Sequence, residues 1–228
     1  DKRVTVIYNK ENLGVGGAVM AGYNEAMKLG GEIFVKVDGD GQMDGGLIPE
    51  LVAPIALKKA DYVKGNRFYS FYNVRSMPRM RLLGNAVLSF ITKLSSGYWS
   101  IFDPTNGFTA IHAKALSMLP QEYISNRYFF ETDMLIQLGN MRAKVQDMPM
   151  EALYGEEVSG LKISLILREF LTKHIRATLK RILYTYYLRD FSIASLHLPF
   201  GVIALTLGTS VGIEGWIKSI SSGVPATS

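Results

Sequence analysis

The chain has 228 residues, 48% of them hydrophobic, enough to bury one large domain or a domain with an appendage. It contains no cysteine, which excludes disulfide staples and cysteine-ligated zinc. Its net charge of +5 is concentrated: between Gly160 and Asp190 seven basic residues stand against two acidic ones, and the rest of the chain balances.

In chain order, the first 150 residues alternate between strand and helix patterns. Residues 4–8 are predicted as a strand, 16–29 as a helix, 33–37 as a strand, 47–59 as a helix and 61–64 as a short strand. A helix over 80–94, a strand over 107–112, a helix over 129–140 and a last strand over 144–150 complete the series. This alternation predicts an α/β fold with a mostly parallel sheet covered on both faces. No signal peptide opens the chain, which runs straight into a strand pattern. A nucleotide-binding sheet begins with a βαβ unit of about 30 residues, so this one is expected to be N-terminally incomplete.

From residue 161 the pattern changes. Glu169, Lys173, Arg176 and Lys180 recur at helical spacing, while Leu167, Phe170, Leu171, Ile175, Leu179, Ile182 and Tyr186 fill the opposite face. His174 reads as part of this basic helix. Residues 191–217 then hold no lysine or arginine, and Glu214 is their one charge. The stretch from Leu196 to Ile217 has the roughly 20-residue length of a membrane-crossing helix. Basic residues on its N-terminal side put that side in the cytoplasm. The expected organisation is a partial catalytic domain over 1–160, a basic amphipathic helix over 161–190, a transmembrane segment over 191–217 and a short outer loop over 218–228. The basic stripe is therefore read as facing anionic membrane lipids, not nucleic acid.

The chemistry is concentrated in "VDGDGQMD", 37–44. An EF-hand loop starting at Asp38 would need Gly at its sixth position and Glu at its twelfth, where Met43 and Pro49 stand. Instead, Asp38, Asp40 and the amide oxygen of Gln42 put hard oxygen donors on alternate residues after a strand, at the edge where open α/β sheets bind ligands. Such donors suit Mg²⁺ or Mn²⁺ held jointly with substrate phosphates. A dinucleotide fingerprint fails in "NLGVGGAV": Val19 stands where the third Gly or Ala belongs, and Phe34 where an acid is needed. His112, His174 and His197 lack metal-ligand spacing.

"VDGDGQMD" resembles the Asp-x-Asp-x-Gln motif of family 2 glycosyltransferases of the dolichyl-phosphate mannose synthase type. Further stretches are similar in the same order: "NKENLGVGGAVMAGYNEA", "KGNRF", "DPTNGFTAIHAKAL", "YFFETDMLIQL" and "YGEEVSGLKI". Asn66 and Asn106 replace the usual Ser, Thr109 an Arg, and Ala152 an arginine often found before Tyr-Gly-Glu. The resemblance implies the A-type glycosyltransferase fold, a divalent metal, a nucleotide-sugar donor and a polyprenyl phosphate acceptor at the cytoplasmic membrane face. It assigns Asn12, Gly14, Asp38 and Asp40 to the donor, and Asp38, Asp40 and Gln42 to the metal. Arg67, Arg81 and Lys162 are left to hold the acceptor phosphate, and Asp133 to orient sugar or acceptor or to act as a base. An enzyme of this fold that extends a sugar chain, with a base against a hydroxyl, is the nearest rival. A silent membrane adaptor is the other. The sugar, the nucleotide and the oligomeric state stay open.

Overall fold

The computed structural model describes residues 1, 3–69, 79–151 and 163–223, without the side chains of 81 and 163–167. The chain divides into two compact units, Asp1–Leu179 and Lys180–Ser228.

In the first unit, helix α1 (Gly14–Lys28) leads into strand β1 (Ile33–Lys36), and α2 (Ile48–Ala56) into β2 (Tyr62–Asn66). Helix α3 (Arg79–Ser96) precedes β3 (Thr109–His112), the short α4 (Ala113–Met118), α5 (Phe130–Asn140) and β4 (Val145–Pro149). Helix α6 (Ile163–Leu183) follows and crosses into the second unit. The four strands lie in the order β1-β3-β2-β4. Alternation along the strands feeds two cores. Phe34, Tyr62 and Ile111 join α1 and α5 on one face, while Val63 and Ala110 join Leu51 and Ile55 of α2 on the other.

Two expectations need correction. The sheet is mixed: β1, β2 and β4 share one direction, but β3 runs antiparallel to both β1 and β2. The reason is the route of the chain after β2. The stretch through α3 and 97–108 delivers β3 to the carboxyl end of β2, where the Gly65 N–H donates to the Phe108 carbonyl at 2.8 Å, so β3 must run backwards. The 103–107 turn is thereby placed at the carboxyl ends of β1 and β2. Residues 4–8 form no strand: Val4, Val6 and Tyr8 are exposed, and among the described residues their one backbone hydrogen bond outside helices and strands is Val4 N–H to Asp1 O. β-branched residues favour strands only where a ladder and a packed face receive them, and this segment has neither.

Helix α6 also differs from its expected face. Leu171, Ile175 and Leu179 are exposed, whereas His174 is 1% exposed. Docking runs through Phe170 and His174, both edge-on to Phe129, and through a 2.9 Å hydrogen bond between His174 Nδ1 and Ser95 Oγ. Lys173 faces the domain too, donating to Ser125 Oγ at 3.0 Å and lying 5.1 Å from the Phe129 ring centre.

In the second unit, α6 continues into a π-helical turn, Tyr184–Arg189. A Ser192–Ser195 capping box then starts α7 (Ile193–Ser222), which Gly223 ends with φ of +67°. At about 1.5 Å per residue, 30 residues exceed the hydrocarbon thickness of a bilayer. Among the described residues this is the one helix long and apolar enough to cross a membrane, and its apolar stretch is unburied. It continues past the predicted end at 217 through Ser222, pairing Glu214 with Lys218 at 2.6 Å.

Candidate active site

Strand register builds the floor of the site. Thr109 on β3 stands opposite Lys36 on β1 and Lys64 on β2, so two lysines flank one threonine across the sheet. Both are buried, on the face that carries Phe34 and Tyr62 deeper in. Buried ammonium groups need acceptors, and each has them. Lys36 Nζ donates to Asp38 Oδ1 at 2.7 Å and to the Gly107 carbonyl at 3.3 Å, with Glu131 Oε1 at 3.7 Å. Lys64 donates to the Asn106 carbonyl, and burial pulls its pKa down to about 8 despite the nearby charges of Glu131 and Asp103.

Above this floor stand the acids of the Asp-x-Asp stretch. Asp38, two residues past β1, has its Oδ2 against Gly107, where a Cβ would collide with that oxygen and with Lys36 Nζ. Asp40 is exposed, and its Oδ1 accepts the Gln42 N–H at 3.0 Å, which fixes the turn. Among the described residues no three His, Cys, Asp or Glu side chains converge to cage a metal. Two carboxylates and an amide oxygen beside an open glycine fit Mg²⁺ or Mn²⁺, which leave much of their coordination to water and substrate phosphates.

Arg67, just past β2, is held by Asp103: its Nε donates to Oδ2 at 2.7 Å and its Nη2 to Oδ1 at 2.9 Å. Asn66 beside it donates to Asp147 Oδ2 at 2.8 Å. Burial raises the Asp147 pKa. One turn, 103–107, therefore touches Arg67 at its start and Asp38 at its end.

The two acids of α5 diverge. Asp133 Oδ2 accepts the Ser125 N–H at 2.9 Å, and burial raises its pKa. Glu131, two residues earlier, faces Lys36, which also holds Asp38. Asn12 Oδ1 accepts the Gly14 N–H at 2.9 Å, at the mouth of α1. Gly14, with φ of +73°, lets the Asn126 carbonyl approach where a Cβ would clash. Arg81 lies in α3 with its side chain outside the description, and Lys162 and Ala152 are outside the described residues.

Lys36, Lys64, Asp103 and Glu131 were not singled out from the sequence. A signal existed for the lysines: "FVK" and "YVK" each place Lys in phase with a core aromatic. Asp103 opens the "DPTNGF" stretch and Glu131 lies within "YFFETDMLIQL", but their partners could not be read there, lying 36 residues away for Arg67–Asp103 and on another element for Glu131.

The model of the family described as "Glycosyl transferase family 2" matches residues 1–119. The chain belongs to glycosyl transferase family 2. Among curated family relatives, a UDP-N-acetylglucosamine–dolichyl-phosphate N-acetylglucosaminyltransferase of Methanococcus voltae is 32% identical over 68% of this chain and 61% of its own. An undecaprenyl-phosphate mannosyltransferase of Micrococcus luteus is 25% identical over 66% and 61%, respectively. The chain thus spans about three fifths of the length of these relatives. A solved structure of glucosyl-3-phosphoglycerate synthase from Mycobacterium tuberculosis, in complex with Mn²⁺, UDP and phosphoglyceric acid, superposes with a TM-score of 0.51. It is 18% identical and covers 79% of this chain and 56% of that one, so it speaks to the fold alone.

Proposed function

We propose that the chain is the catalytic part of a membrane-bound glycosyltransferase that moves a sugar from a nucleotide-sugar donor to a polyprenyl phosphate, with Mg²⁺ or Mn²⁺ at the donor side. The observation that carries this reading is the shared 103–107 turn. It touches Asp38 through Gly107 and Arg67 through Asp103, so one turn joins the acid that would bind the metal to the base that would bind the phosphate. The substrates in the relatives' names, lipid phosphates in both, support it.

Asp38, Asp40 and Gln42 would hold the cation, which when bound neutralises the departing diphosphate as a Lewis acid. Asn12 and Gly14 would line the donor side at the start of α1. Arg67, with Arg81 and Lys162, would bind the acceptor phosphate and aim one oxygen at the anomeric carbon. The new bond forms from that oxygen as the bond to the diphosphate breaks, with inversion, and the electron pair leaves on the nucleotide. The acceptor oxygen is already ionised, so no base has to remove a proton. That matches the acids of α5, since Glu131 is engaged by Lys36 and Asp133 by the Ser125 N–H. A sugar-chain-extending enzyme would need a base at a neutral hydroxyl. Here Asp133 accepts the Ser125 N–H.

Helix α7 would anchor the protein. The exposed Leu171, Ile175 and Leu179 of α6, with exposed Arg176, suit a helix lying at the headgroup level of an anionic leaflet. Basic residues N-terminal to α7 put the catalytic part on the cytoplasmic face. The test incubates full-length protein with a panel of radiolabelled nucleotide sugars, polyprenyl phosphate and Mn²⁺ or Mg²⁺. One sugar should appear in the lipid fraction, and chelation should abolish it. Label in a growing glycan with none in polyprenyl phosphate would sink this reading.

A further inference from the structure

We infer that Lys36 is a positioning residue that holds Asp38 by one oxygen and tempers the donor site's charge, so that the divalent cation is taken up together with a nucleotide diphosphate instead of before it. The inference rests on the metal reading proposed above for Asp38 and Asp40.

Lys36 is 4% exposed in its side chain, and its ammonium is tied to three different elements. One acceptor is Asp38 after β1, one is the Gly107 carbonyl before β3, and one partner is Glu131 on α5. A surface lysine could swing aside when a cation arrives. This one is anchored on three sides and keeps its charge beside Asp38. Asp38 Oδ1 is occupied by Lys36 Nζ, and Oδ2 packs against the bare Cα of Gly107, so the carboxylate is held in one orientation beside the ammonium. Glu131 does not cancel Lys36 alone, because its charge also reaches the fully buried Lys64. The two lysines offset part of the negative charge that Asp38, Glu131 and Asp40 bring to the site. A doubly charged cation therefore meets a tempered site, and the diphosphate provides the remaining negative charge. An ammonium some 5 Å from such a cation weakens its binding by roughly tenfold even at a water-like dielectric.

The test is a Mn²⁺ titration of the full chain in detergent, read by the electron paramagnetic resonance of free Mn²⁺, without and with UDP. Wild type should bind Mn²⁺ weakly alone and at least about tenfold more tightly with UDP. Lys36→Met should bind Mn²⁺ alone about tenfold more tightly, and the gain from UDP should shrink by a similar factor. Lys36→Arg, which keeps the charge, should restore the wild-type dependence on UDP. If Lys36→Met fails to fold, Lys36→Gln, neutral but still polar, should show the same tightening. Mn²⁺ affinity and UDP dependence unchanged in folded Lys36→Met or in Lys36→Gln would overturn the inference. If neither wild type nor variants bind Mn²⁺ with UDP present, the metal reading itself falls, and this inference with it.

Discussion

Arg67 lies on Asp103 in a two-pronged hydrogen bond, and Asp103 is 1% exposed in its side chain while Arg67 keeps 23%. The backbone N–H of Arg67 also donates to Asp103 Oδ2, at 3.2 Å. The carboxylate thus fixes where the guanidinium stands and how the chain leaves β2. Asp103→Asn keeps the size but removes the charge under Arg67. Breaking such a buried pair costs about 3 kcal/mol, and the solvent reaching Arg67 places this one at or below that value. The expected outcome is a thermal midpoint lowered by several degrees and an acceptor KM raised more than the donor KM. An unchanged acceptor KM would mean that the pair only braces the turn.

Asp40→Asn is expected to abolish metal-dependent transfer while leaving the fold intact. The reason is local: Asp40 is exposed and its structural duty is to accept the Gln42 N–H, which an amide oxygen still does. Circular dichroism together with a Mn²⁺-dependent assay checks both halves. Full activity in this variant would remove Asp40 from the donor site.

Two glycines separate site from scaffold. A methyl at Gly107 meets side chains, chiefly the part-exposed carboxylate of Asp38, which can turn away, whereas a methyl at Gly139 meets the Ser96 backbone carbonyl, which cannot. Gly107→Ala should therefore cost only about 1 kcal/mol of stability but lower turnover by at least about tenfold, through the displaced Asp38 carboxylate. Gly139→Ala should do the reverse, with a large loss of stability and normal kinetics in whatever folds. Thermal denaturation beside initial rates distinguishes the two.

His174 gives the pH dependence. Burial lowers its pKa to about 4 from an ordinary value near 6.5. A depressed histidine pKa means that the unfolded chain binds the proton more readily. The stability tied to neutral His174 is complete above about pH 6.5 and is lost as pH falls towards 4, on the order of 2 kcal/mol over that window. His174→Gln, which can still meet Ser95, should flatten this dependence in denaturation curves taken between pH 4 and 7. An unaltered pH profile would assign the acid sensitivity to other groups.

Much of this was legible in the sequence, and the failures share a cause. Ile33, Phe34 and Val35 announced a strand because an apolar run of strand length is local information, and "DGDGQ" announced where that strand ends. The direction of β3 was not legible, since it depends on where the 97–108 stretch ends in space. The contacts of the two α5 acids, Asp133 with Ser125 and Glu131 with Lys36, were not legible either. His174 looked like one more charge on a basic face, yet Ser95 and Phe129 bury it. In each case the deciding partner lies on another element.

The last prediction concerns α6 and the acceptor. Lys173 does not belong with the residues facing a membrane, because it is held by Glu169 at 2.7 Å and by Ser125 at 3.0 Å. Arg176 and Lys180 are both exposed, one helical turn apart, on a helix that also exposes Leu171, Ile175 and Leu179. Each basic residue near an anionic leaflet contributes about 1 kcal/mol of attraction. Reversing both, in Arg176→Glu with Lys180→Glu, should weaken the helix's hold on the headgroups while α7 keeps the protein in the membrane. Transfer to polyprenyl phosphate in anionic vesicles should fall at least about tenfold, and transfer to a short soluble analogue should change less than about twofold. Lys173→Glu should instead lower stability, with both acceptors affected alike. If the double reversal weakens both acceptors equally, α6 serves the fold and not the lipid surface.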